Sequence, residues 1–241
     1  MKLRMVTNRG ELPNMYTVGL RMDLLMAIKH KDLEALYPLL DSGIDLNPPS
    51  MEGTYLSWAW GKFGSYDFDI VKRLIAHGAA LNDATYPAII CAAGRGKLDE
   101  LAYVVERGAD VNAVDEAGHS ALWHAVYGEC AKEVQWLIEA GLKLDRHGEQ
   151  ALQLAASIGH LAIVKLIIER GVHCDARTVG DADRSYTPLH QAVMYGHEET
   201  AAYLLELGAN PALYNDFGQN AYDLAKLNKL PAMMLLVQRY E

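Results

Sequence analysis

TPLHQAVMYGHEETAAYLLELGANPALYN, residues 187–215, carries its own start and stop signals. Thr187 can offer its hydroxyl to the free amides of a first helical turn. Pro188 at the first helical position forfeits no hydrogen bond, because that amide has no partner within the helix. Leu189, Ala192 and Val193 then fall on one face of a short helix. Gly196 permits a backbone reversal, and a second helix from Ala201 to Leu207 carries Ala202, Leu204 and Leu205. Gly208 ends it where a left-handed residue is wanted. The spacing predicts two short antiparallel helices, and neither can bury its apolar face on the other alone. Neighbours of the same kind are required.

The sequence supplies them. Gly196 and Gly208 stand twelve apart, as do Gly96 and Gly108, and Gly159 and Gly171. The endings recur as well: SGIDLN at 42–47, HGAALN at 77–82, RGADVN at 107–112, AGLKLD at 140–145, RGVHCD at 170–175 and LGANP at 207–211. With TPLH at 187–190 and GH at 159–160 and 196–197, the pattern resembles the ankyrin repeat over nearly the whole chain from about residue 21. That resemblance implies an all-α solenoid of about seven helix-turn-helix units with irregular hairpin fingers. The units read as residues 21–50, 51–82, 83–114, 115–145, 146–178 and 179–215, followed by a capping repeat at 216–241 that lacks the trailing GAxxN. Residues 1–20 show no helical periodicity and read as a loose or capping lead-in.

The chain has 241 residues, half of them apolar, which suits one continuous stacked core. No Ser, Pro or Gly run interrupts the pattern, so a single domain is expected over 1–241. The net charge of −9 disfavours nucleic acid and anionic membranes and favours a basic partner. Cys91, Cys130 and Cys174 lie in different repeats and read as reduced thiols. With an opening segment that lacks a long apolar stretch, they make the cytoplasm the expected compartment.

Several units depart from the pattern. Pro38 inside the second helix of the first unit is expected to distort or shorten it. The second unit is three residues longer between its helices than residues 192–208 would require, and Trp58, Trp60, Phe63, Tyr66 and Phe68 crowd that turn. Trp58 and Phe68 read as packing residues, Trp60 as a possible exposed anchor. The fourth unit keeps register when Leu122 is set against Leu189, which puts Glu129 at the place of Gly196, Trp123 at that of His190, and His124 where an apolar residue is usual. A backbone carbonyl is the expected partner for His124. The connectors are uneven: 113–119 has the length of an ankyrin finger, whereas 83–86 and 146–149 are short and 176–186 is long.

The resemblance implies that these fingers and the first helices form a concave binding surface. The sites presented there are Tyr86, His119, Trp123, Tyr127, Tyr186, Tyr195, Tyr214 and Phe217, with Trp60 as the anchor in the second unit. Asp83, Asp115, Glu116, Glu149, Asp181, Asp183 and Asp216 stand among them, opposed by Arg146, Arg177 and Arg184. Rings bury large area at low entropic cost and carboxylates steer a positive partner. No catalytic motif accompanies them: His197-Glu198 is not followed by the second histidine of a zinc protease, and GRG at 94–96 lacks the glycines of a nucleotide loop. His173-Cys174-Asp175 are adjacent residues expected to point apart, and no metal or cofactor is expected. His160, His190 and His197 belong to the repeat signature and are expected to tie neighbouring turns together. The expectation is a non-enzymatic module, most simply a monomer, that binds and inhibits a basic protein in the manner of an immunity protein or antitoxin. An adaptor or effector recruiting a cellular protein is the alternative, and a small-molecule-binding or enzymatic protein a more distant one.

Overall fold

The computed structural model describes residues 15–48, 53–61, 64, 66–177 and 185–240. Among them the chain is all-α, and its helices alternate as first and second members of hairpins. They are α1 (Met15–His30), α2 (Leu33–Asp41), α3 (Tyr55–Ala59), α4 (Phe68–Ala76), α5 (Ala88–Ala92), α6 (Leu98–Glu106) and α7 (Ala121–Tyr127). There follow α8 (Ala131–Glu139), α9 (Asp145–Ile158), α10 (Leu161–Glu169), α11 (Pro188–Met194), α12 (Glu198–Glu206), α13 (Ala221–Leu227) and α14 (Pro231–Gln238).

Local chemistry sets the boundaries. Thr54, Ser120, Thr187 and Asn220 each cap a first helix, the side-chain oxygen accepting the amide three residues on. The reversal between the helices of a hairpin needs one left-handed residue, and Gly96, Gly159 and Gly196 hold it at φ +72°, +74° and +79°. Glu129 holds the same place at φ +55°, which fixes the register of the fourth unit as its alignment with Gly196 implies. Lys31 and Lys229 do so in the first and last units.

The chain forms two compact units, Met1–Ala88 and Ile89–Glu241. In the first, α1 packs on α2 and α3, and α3 on α4. In the second, α7, α9, α11 and α13 pack each on the next, and so do α6, α8, α10, α12 and α14. The 187–215 hairpin therefore lies between the hairpins that flank it in sequence, as the repeat requires. Its second helix starts at Glu198, three residues before Ala201, and buries Thr200, Ala201, Leu204 and Leu205 while Ala202 is only half-buried. Residues three apart on successive second helices, Leu101 and Val104, Val134 and Leu137, Val164 and Ile167, are fully buried. Each such side chain contributes roughly 1.5–3 kcal/mol of hydrophobic stabilisation.

Three expectations are corrected. Helix α1 begins at Met15, so the end of the lead-in is helical. Helix α2 keeps nine residues despite Pro38, as long as α4, α6, α8, α10 and α12. Pro38 is exposed, so water can satisfy the carbonyl its missing amide leaves. Residues 146–149 are no finger: α9 runs back to Asp145, and Arg146 and Glu149 are helical. Gln150 stands where Thr187 caps its helix, and glutamine, a good helix former and a poor cap, lets the helix continue. Gly148 inside it leaves room for Val172, whose Cγ2 a Cβ there would meet at 2.6 Å.

Histidines join the hairpins. His190 is buried, its Nδ1 accepts the Thr187 amide at 3.1 Å, and its Nε2 therefore carries the proton and donates to the Leu213 carbonyl at 2.9 Å. Burial holds its pKa down to about 4. His197 Nε2 donates to the carbonyl of Ser157 in the preceding hairpin at 2.8 Å. His160 is half-buried, and its imidazole makes no hydrogen bond among the described residues. Glu133, buried on α8, accepts from the amides of Gly94 and Lys97 at 2.7 and 2.9 Å and ties its hairpin to the turn between α5 and α6.

Candidate functional site

The most ordered group of predicted surface residues lies at the finger before α7. Asp115 and His119 close a tight turn: the Asp115 amide donates to the His119 carbonyl at 3.0 Å and the Gly118 amide to the Asp115 carbonyl at 2.9 Å. Gly118 is left-handed at φ +78°, and Val114 pairs with Ser120 across the base as an isolated antiparallel bridge. Asp115 Oδ1 accepts the amides of Ala117 and His119 at 3.0 and 2.9 Å, the side-chain turn that Asp and Asn favour. Oδ2 is turned to two imidazoles, 2.9 Å from His124 Nε2 and 3.6 Å from His119 Nδ1.

Partial burial raises the Asp115 pKa, but the hydrogen bond from His124, the His119 amide and the charges of the two rings outweigh it, and the carboxyl lies below its ordinary value. The partner of His124 is therefore a carboxylate and not the backbone carbonyl expected. His119 stacks on Trp123 at 4.0 Å and 14°, and Trp123 on Tyr127 at 5.3 Å and 7°. Positions 123 and 127 are one helical turn apart on α7, so the finger adds a third ring to a column the helix already carries. The outermost ring, Tyr127, is 67 % exposed.

The other predicted surface residues divide by exposure. Tyr195, Tyr214, Phe217, Glu116 and Asp216 are exposed. Tyr86 is half-buried above Asp83, whose carboxylate accepts the Thr85 and Tyr86 amides. Tyr186 is half-buried, edge-on to His190, with its carbonyl accepting from Gln153 Nε2 at 2.8 Å. Trp60 is corrected: it is 3 % exposed, stacked on Tyr66 at 6.1 Å and against Phe68 at 5.7 Å, and no partner can reach it. Tyr66 pairs with Trp60 as an isolated antiparallel bridge, and the rings of Tyr66 and Phe68 lie against the indole. Trp58 and Phe68 are half-buried. Phe63, Asp181, Asp183 and Arg184 lie outside the described residues.

One grouping escaped sequence reasoning and a second was set aside by it. Asp115, His119 and His124 offer one ligand atom each within 4.8 Å of one another, and so do His173, Cys174 and Asp175, which do not point apart as expected. The second group is already committed elsewhere: both Asp175 oxygens accept the Asn210 amide, at 3.1 and 3.2 Å, and His173 Nδ1 accepts the Asp175 amide at 3.0 Å.

The family model described as Ankyrin repeats (3 copies) matches residues 56–148, 89–178 and 131–215. The chain belongs to the ankyrin-repeat family. Over 224 residues, 88 % of its length, it is 30 % identical to "Putative palmitoyltransferase ZDHHC13" of Danio rerio, covering 33 % of that protein. It is 30 % identical over 118 residues, 49 % of its length, to the ankyrin repeat domain-containing protein oryK of Aspergillus oryzae, covering 17 % of it. Over 80 residues, 33 % of its length, it is 39 % identical to the ankyrin repeat and SAM domain-containing protein 6 of Mus musculus, covering 9 % of it. The ankyrin chain thus spans a third or less of the length of these curated relatives. Ankyrin repeats form a protein-interaction module, and the fold is in general a binding scaffold and not a catalytic one. Among the described residues no helix is long and apolar enough to cross a membrane.

Proposed function

We propose that this ankyrin module binds a basic protein through the finger and first-helix surface centred on α7 and occludes that protein's active surface, as an inhibitor of the immunity or antitoxin kind that does no chemistry itself. The observation that carries the reading is the ring column His119–Trp123–Tyr127, open at Tyr127, whose finger also carries the exposed Glu116, in a chain of net charge −9. Stacked rings are already ordered before a partner arrives, so little entropy is lost on binding, and the surrounding acids raise the rate of encounter with a cation-rich surface. Three half-buried thiols that form no disulfide support a reducing, cytoplasmic setting.

The test is the affinity of partners recovered from the source cell, measured one by one against salt. The account expects binding to weaken steadily as ionic strength rises, and expects Glu116→Lys and Tyr127→Ala each to weaken it by about tenfold, roughly 1.4 kcal/mol. Salt-independent affinity removes the basic partner. A second reading, an adaptor that recruits a cellular protein, is favoured by the alignment of the chain with one part of much longer relatives. It predicts a partner that keeps its own activity while bound.

A further inference from the structure

The finger at 115–119 has a counterpart within the same chain. Asn215 and Gln219 close the finger before α13 with the same bonds: the Asn215 amide to the Gln219 carbonyl at 2.9 Å and the Gly218 amide to the Asn215 carbonyl at 3.0 Å. Asn215 Oδ1 accepts the amides of Phe217 and Gln219 at 3.0 and 2.9 Å, as Asp115 Oδ1 accepts those of Ala117 and His119. An uncharged amide suffices for the turn. In that finger glutamine replaces His119, and the residue at the place of His124 is Leu224, which is buried. The scaffold therefore requires neither the charge of Asp115 nor the two imidazoles turned towards it.

These three side chains have the chemistry and spacing of metal ligands. Ligand atoms arranged tetrahedrally at about 2.0–2.1 Å from a zinc ion stand roughly 3.3 Å apart. Asp115 Oδ2 is 2.9 Å from His124 Nε2 and 3.6 Å from His119 Nδ1, on either side of that value. Two features hold the donors in place. The Ala117 and His119 amides fix Asp115 through its other oxygen, and the stack on Trp123 fixes the plane of His119 with Nδ1 towards the carboxylate. Outer contacts of this kind orient ligands in metal centres. All three residues are half-buried, so the group is reachable from solvent.

The geometry points to a site for a divalent transition metal ion of the zinc class, held by Asp115, His119 and His124, with a fourth position left to water or to a ligand from outside the chain. Imidazole with carboxylate suits zinc, and the absence of a cysteine from the set separates it from a closed structural zinc site. The site goes beyond the partner-binding proposal, since it is tested on the chain alone.

The experiment is a zinc chloride titration of chelator-treated full chain, followed by calorimetry and by competition with a chromogenic chelator. One equivalent is expected to bind. Asp115→Asn, which keeps the turn in the form Asn215 shows, and His124→Gln are each expected to weaken binding by at least the roughly 10- to 100-fold that loss of an outer-shell partner costs. The circular dichroism of Asp115→Asn should match that of the parent chain. Cobalt(II) in place of zinc should give d–d bands without a thiolate charge-transfer band. The proposal is overturned by absence of binding, by affinity unchanged in both variants, or by a thiolate band, which would put the ion on Cys174 instead.

Discussion

Gly159 and Gly208 both hold left-handed backbone, at φ +74° and +88°, but only one is also pressed by a neighbour. A Cβ at Gly159 would collide with the ring of His197, whereas at Gly208 it would meet nothing within 4 Å. Gly208→Ala should therefore cost about 1–2 kcal/mol from backbone strain alone. Gly159→Ala should cost about 1 kcal/mol more, because the displaced imidazole loses its bond to the Ser157 carbonyl. Urea unfolding of the two variants checks this, and equal losses would contradict it. His190 gives a prediction in pH. Its folded pKa of about 4 lies below the 6.5 of a free imidazole, so the unfolded chain takes up a proton that the folded chain refuses. Stability is complete above the unfolded value and is lost as pH falls from about 6.5 to about 4, by on the order of 3 kcal/mol. Gln153 occupies the same position one hairpin earlier and donates through Nε2 to the carbonyl of Ala176, the counterpart of Leu213, at 3.3 Å. His190→Gln should thus keep the contact and flatten that part of the pH–stability curve; an unchanged curve would refute the assignment.

The elements were legible where local chemistry decides them. Thr187, Pro188, Gly196 and Gly208 fix a helical hairpin without reference to anything distant, and the structure has it with those caps. Legibility failed where the deciding contact is absent from the local pattern. Gln150 looked like the end of a short connector, yet without a capping side chain the helix ran on to Asp145. Trp60 looked available because nothing in the sequence says that Tyr66 pairs with it and stacks on its ring. The Asp115–His119–His124 group was missed because a finger and a helix contribute to it separately, and only the turn made by Asp115 brings them together. Glu133 caps the turn between α5 and α6 from the next hairpin, so Glu133→Ala leaves two amides without their acceptor. The expected loss is about 2 kcal/mol. Hydrogen exchange should quicken first at Gly94 and Lys97; undisturbed exchange at these amides would show that the carboxylate is dispensable.

Within each of the two units, hairpins stack on their sequence neighbours, so the repeated positions that face inward are fixed by packing and those that face out can vary. The variation is concentrated in the fingers: one carries an aspartate turned to its own histidine and to one on α7, one an asparagine with a glutamine, and at 146–149 a finger is replaced by helix. Rings at Tyr127, Tyr195, Tyr214 and Phe217 remain exposed on a chain of net charge −9. The central claim is that partners engage this side and not the second helices. Hydrogen exchange of the chain with and without a bound partner measures it directly. Slowed exchange concentrated in residues 113–128 and in the finger at 214–219 is the predicted result. Protection confined to α8, α10 and α12, with those fingers unchanged, would contradict the account.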